Sequence, residues 1–226
     1  MGQTGGSQMF GRSVTAYGTE LRTGGGLLFL AGSVILMGII TAEALYPLPY
    51  STNANEISDL GGTRPPDSVI LQPSATIFDA SMIAVGLLVL VASWLVHRAF
   101  GRRSVTLPLA LLGAAALGVG IFPGDTGTPH AICALVTFVS GGIAAITAAR
   151  ITVGPFRYLS ALLGAIALLT FGTYVVFGDA GPLRDLGVGG LERWIVYPIV
   201  LWVIGFGGYL AGLGASAESS GRLRGL

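Results

Sequence analysis

Six long apolar runs constrain this chain more than anything else in it: 25–46, 77–96, 105–122, 130–149, 159–177 and 194–213. About 20 apolar residues at 1.5 Å per residue cross the roughly 30 Å of hydrocarbon in a bilayer. Inside hydrocarbon every backbone N–H and C=O must be paired within the protein, which leaves helices and closed barrels. Barrel strands would need about 10-residue segments of alternating polarity, and none of the runs alternates. Only 10% of the residues are charged and the mean hydropathy is +0.76, against about 25% charged in a soluble domain. The fold class is therefore all-α, a polytopic bundle of six transmembrane helices with the lipid bilayer as its surroundings.

The expected organisation is a mobile cytoplasmic tail over 1–24, a six-helix membrane domain over 25–215 and a second cytoplasmic tail over 216–226. The first run ends in Glu43-Ala44-Leu45-Tyr46-Pro47, which is neither the length nor the ending of a secretory signal peptide. All twelve basic residues are arginine. Chemistry that needs a lysine, such as a retinal Schiff base or a Walker-type phosphate loop, is excluded. Cys133 is the single cysteine, so no intramolecular disulfide can form. No cofactor and no nucleic-acid partner are expected.

Arginine placement orients the bundle. Arg12, Arg22, Arg98, Arg102, Arg103, Arg150, Arg157, Arg222 and Arg224 fall on the side of the termini, against Arg64, Arg184 and Arg193 on the other. The excess predicts a multi-pass cell-membrane protein with both termini in the cytoplasm. Acids distribute the other way, with Glu43, Glu56, Asp59, Asp67, Asp79, Asp125, Asp179, Asp185 and Glu192 at or above the outer boundary. A solvated outer surface explains that bias; so does a mouth that attracts a cation.

The polar stretch from Tyr50 to Asp79 is the longest connection and would roof this outer side. Glu43 lies in the last turn of the first run, where the helix dipole disfavours an anion, so it needs water or a partner among Arg64, Arg184 and Arg193. Thr76-x-x-Asp79 reads as a capping box at the start of the second helix. The tight turn from Phe122 to His130 brings Asp125 and His130 to one membrane level, the pairing used in general base work. One histidine and scattered carboxylates do not make a zinc site, and no metal is expected. His97 and His130 lie at opposite ends of the bundle, which excludes a bis-histidine haem. Small residues four apart (Ala114/Gly118, Ala116/Gly120, Gly141/Ala145, Gly208/Gly212) suit close helix packing, and would equally suit a homo-oligomer.

Tyr46-Pro47, Ile57-Ser58-Asp59-Leu60-Gly61, Phe78-Asp79, Phe122-Pro123 with His130, and Glu192-Arg193 with Tyr197-Pro198 occur in that order. In these motifs the chain resembles the archaeal and bacterial membrane family called domain of unknown function 998. The Ile-Ser-x-x-Gly string is also similar, more distantly, to Frag1/DRAM/Sfk1 membrane proteins. The first resemblance implies six membrane helices and no defined activity. Three roles are open. One is binding, sensing or assembly at the outer face, with Asp59, Asp79, Glu192 and Arg193 as ligand-binding candidates for a lipid or cation. Another is a lipid- or envelope-modifying enzyme using Glu43, Asp125 and His130. The third is a small-solute or ion transporter, which the apolar centres of the runs disfavour. Glu43, Asp79, Asp125, His130, Glu192 and Arg193 are expected to converge in one outer cavity.

Overall fold

The computed structural model describes the backbone of residues 4–178 and 181–223, and the side chains of 16–178 and 181–220. Asp179 and the tail arginines Arg12, Arg222 and Arg224 lie outside the described side chains. Six long helices follow one another: α1 Thr4–Ala44, α2 Ser74–Phe100, α3 Arg103–Ile121, α4 Thr128–Ala148, α5 Pro155–Phe177 and α6 Gly187–Leu223. Short 3-10 turns lie at Ile57–Leu60, Gly124–Thr126 and Arg184–Leu186. All six helices are long and apolar enough to cross a membrane, and no strand occurs among the described residues.

The first and last helices run well past their apolar runs. Residues 16–24 are helical, and Leu21 is fully buried, where the composition suggested a mobile tail. The reason is a partner: the C-terminal extension of α6 packs alongside. Glu218, itself buried, accepts from Thr19 Oγ1 at 3.0 Å and pairs with Arg22 at 3.1 Å. Glu20 pairs with Arg98 of α2 at 2.9 Å. Both acids on this side of the bundle are therefore held by arginines.

Each helix packs on the next, and α6 returns to lie along α1 over the most extensive contact in the fold. Helices α4 and α6 also touch directly. The result is a ring of α1, α2, α3, α4 and α6, with α5 outside it against α4 and α6. At the ring's centre is an apolar cavity of about 80 Å³, lined from those five helices and by none of α5. The outward face of α5 carries highly exposed apolar side chains, among them Leu169 and Val176, as a lipid-facing helix would.

Lipid tails are as apolar as leucine, so helices in a bilayer cohere through close packing. Gly18, Gly25 and Gly32 recur every seven residues on α1, as do Gly207 and Gly214 on α6. A Cβ on Gly25 would sit 2.5 Å from the Gly207 carbonyl oxygen, and one on Gly214 the same distance from the Gly18 carbonyl oxygen. Gly164 of α5 meets the Gly142 carbonyl oxygen of α4 just as closely. The sequence pointed to Gly208 and Gly212, yet both face open space; the seven-residue register, one position aside, makes the contact. A single hydroxyl adds directional cohesion. Ser160 of α5 donates to the Ala145 carbonyl at 2.7 Å and accepts Trp202 Nε1–H at 2.8 Å, tying three helices with both side chains fully buried.

Gly25→Leu is expected to lower stability by about 3 kcal/mol, the upper end of overpacking costs, while Gly208→Leu changes it little. Equilibrium unfolding in mixed micelles, read by tryptophan fluorescence, compares the two.

Candidate functional site

The candidate groups collect beneath the long connection between α1 and α2, and Arg193 of α6 is what holds that connection down. Its Nη1 donates to three backbone carbonyls, those of Thr52 at 3.0 Å, Asn55 at 2.9 Å and Gly189 at 2.9 Å. Two N–H bonds serve three oxygens, so one is shared. Its Nη2 reaches Glu43 Oε1 at 2.5 Å and the Tyr50 hydroxyl at 2.9 Å, and the guanidinium lies over the Tyr50 ring. The Tyr50 hydroxyl passes the chain on, donating to the Glu56 carbonyl at 2.8 Å. Burial raises the Tyr50 phenol well above its ordinary range, against the opposing pull of Arg193. Of the three arginines open to Glu43, its partner is therefore Arg193.

The connection can lie this close because α6 starts in glycine. Gly187 has φ +67°, and a Cβ on Gly189 would come 2.7 Å from the Thr52 carbonyl oxygen. Asn53 fills the gap between them: Nδ2 donates to the carbonyls of Asp185 and Leu186, and its own carbonyl accepts Gly189 N–H. The segment next turns into the 3-10 helix Ile57–Leu60, with Ile57 and Leu60 buried. Glu56 and Asp59 form a reciprocal capping box there, so Asp59, a ligand-binding candidate from sequence, instead accepts Glu56 N–H at 2.9 Å. Glu192 completes that start by accepting Ile57 N–H, with Ser58 N–H beside it. Glu56 also pairs with Arg64 at 2.8 Å, and burial raises its carboxyl above the usual range while Arg64 opposes the rise.

The capping box expected at Thr76 and Asp79 does not form. Helix α2 begins earlier, at Ser74, and Gln72 Oε1 takes both Thr76 N–H and Thr76 Oγ1–H. Asp79 lies inside the helix against Gly61, and Asp125 lies against Gly62. Each has a buried Oδ1 without a hydrogen-bond partner. Nor do Asp125 and His130 pair. His130 is buried, and its Nδ1 meets the Phe122 carbonyl at 2.8 Å. A carbonyl can only accept, so Nδ1 carries the proton and the neutral ring keeps Nε2 as an acceptor.

The six expected residues thus lie beneath one segment but in three groups. Glu43 and Arg193 form an ion pair, Asp79 and Asp125 flank Gly61-Gly62, and His130 and Glu192 share a cavity. That cavity, of about 150 Å³, lies between α4, α5 and α6 under Glu56, Ser58 and Arg64. Its walls deepen from His130, Glu192 and Tyr174 to Leu135, Phe138, Phe171 and Ile195. From His130 to Phe138 is about 12 Å along α4. Ser58, His130, Ala134, Phe138 and Glu192 also line the apolar cavity inside the ring, so the two spaces share a wall between α4 and α6. Sequence reading missed Tyr174, Phe138 and Phe171, because aromatics within apolar runs look like any lipid-facing or core residue. Tyr50 could have been found: it is a polar-tipped aromatic in the segment already singled out. No group of three or more metal-ligating side chains occurs among the described residues.

A protein family described as "Protein of unknown function (DUF998)" matches residues 29–209. No curated protein and no solved structure matches the chain, so the more distant likeness rests on its one short string.

Glu43→Ala would leave a buried guanidinium without its anion, a loss of about 3–5 kcal/mol. Arg64→Ala removes a pair whose arginine is 59% exposed and is expected to cost under about 1 kcal/mol. Hydrogen exchange of the amides at 52–57 should accelerate strongly in the first variant and little in the second.

Proposed function

The chain belongs to the DUF998 membrane-protein family, and on that footing we propose that it binds a membrane amphiphile at its outer face, in a sensing or assembly role. The observation that carries this is the α4–α5–α6 cavity. Its polar end sits beneath the long connection and its apolar end points toward the bilayer centre. That gradient matches the orientation of a lipid-like molecule in one leaflet, with a headgroup near His130, Glu192 and Tyr174 and a chain beside Phe138 and Phe171. The neighbouring apolar space inside the ring offers further room for hydrocarbon behind Ala134.

The arginine split supports placing the long connection outside and both termini in the cytoplasm. Catalysis finds less support in the geometry. Asp125, His130 and Glu43 each have separate surroundings, and a nucleophile within reach of a base is the minimum for most covalent chemistry. A transporter reading finds little either, since Glu192 and His130 sit near one end of their helices and not at mid-membrane.

In a Cys133→Ala background, Ser51→Cys should react with an impermeant maleimide on intact cells. Ser104→Cys should react only after permeabilisation, and the reverse pattern would invert the orientation. Ala134→Leu fills the wall shared by the two cavities. Native mass spectrometry of the purified protein should detect a co-purifying amphiphile with the wild type and at least tenfold less with Ala134→Leu. Wild type that retains none, or equal retention by both, would remove the binding reading.

A further inference from the structure

The charges lining the α4–α5–α6 cavity are unevenly matched. Arg64 pairs with Glu56 through one nitrogen at the solvent-exposed rim. The carboxyl of Glu192 has no salt bridge among the described residues; its neighbour Arg193 turns the other way, to Glu43 and the carbonyls of the long connection. What Glu192 holds is backbone N–H at Ile57 and Ser58, neutral donors that leave its charge without a cation. His130 presents a second acceptor, since its proton lies on Nδ1 toward Phe122. A headgroup entering here therefore meets acceptors, and the site asks it to donate.

The remaining walls are aromatic. Phe138 and Phe171 are 5.9 Å apart at their centroids, inclined at 59°, and Tyr174 stands one turn of α5 nearer the polar end. Ring faces attract a cation, and more strongly where water is excluded. An anionic headgroup would meet Glu192 and the rings' negative faces. A polyol would satisfy the acceptors but gain nothing from the rings.

We propose that this cavity takes an amphiphile whose headgroup carries an ammonium, seated between the Glu192 carboxyl and the ring of Tyr174. The proposal rests on the amphiphile-binding reading above and adds the chemical class of the headgroup. Donation to Glu192 and to His130 Nε2 orients it, and the chain extends along Phe138 toward the bilayer centre.

The test uses the full-length protein in nonionic micelles and four probes: tetradecylamine, tetradecyl glucoside, tetradecanoate and ethylamine. Binding is followed by native mass spectrometry and by the shift in Tm. Tetradecylamine is expected to bind at least tenfold more tightly than the glucoside or the carboxylate, and ethylamine not measurably. Glu192→Gln keeps shape and the Ile57 acceptor; it should erase the tenfold preference while leaving binding at the level of the glucoside. Tyr174→Leu, which leaves Glu192 in place, should weaken tetradecylamine several-fold and the glucoside little. Equal affinity for tetradecylamine and the glucoside, or a preference that survives both substitutions, would overturn the ammonium while leaving the amphiphile site standing. Ethylamine binding as tightly as tetradecylamine would remove the chain from the argument. Failure of all four probes would take the binding reading with it.

Discussion

The ordered connection between α1 and α2 depends on one buried guanidinium. Arg193 is 8% exposed, and a charge so placed is tolerated only when paired and hydrogen-bonded on most of its edges. Glu43 supplies the opposite charge from α1, and three carbonyls and a phenol supply the acceptors. All of those acceptors but the Gly189 carbonyl belong to a polar segment that would otherwise have no reason to fold down onto a membrane bundle. Satisfying Arg193 is thus the same event as docking the segment, and the docked segment brings Ile57 N–H to Glu192 and Gly61-Gly62 to the two aspartates. Helix ends, connection and cavity roof form one polar layer.

Beneath that layer the physics changes. Cohesion comes from backbones brought into contact by glycine, most of all along α1 and α6. Glycine contacts pull neighbouring helices together, but they cannot also fill the middle of a five-membered ring. The central cavity is the geometric remainder of that ring, walled by Ile35, Val85, Leu112 and Val200 among others. On the side of α5 it shares a wall with the second cavity, where α4 presents Ala134.

Much of this was legible in the residues. Six spans followed from run length alone, because hydrocarbon thickness is an external ruler. Glu43 announced a partner, because an anion at a helix C-terminus in a bilayer is unfavourable on two counts. What sequence could not give was direction around each helix. Gly208 and Gly207 differ by one position, about 100° of helix, and only the second meets α1. Asp125 and His130 are five residues apart and lie at one level, yet a nearer carbonyl, that of Phe122, takes the imidazole N–H. Asp79 looked like a cap because Pro73 hid the true start of α2, where a glutamine side chain serves. In each case the deciding fact is a competing partner close by in the chain or a rotation that spacing does not encode.

The buried hydroxyl of Ser160 has a mechanical consequence for α5. This helix is fastened near one end, where Ser160 bridges Ala145 and Trp202 and Gly164 lies on Gly142. Its other end supplies Phe171 and Tyr174 to the cavity wall. From Ser160 to Tyr174 is about 21 Å of helix, so a tilt of about 5° about the fastened end carries the tyrosine ring through about 2 Å. The ring of five helices need not open for that to happen. Anchoring and clearance are thereby separated along a single helix, and the width of the site can vary while the bundle that holds it stays closed.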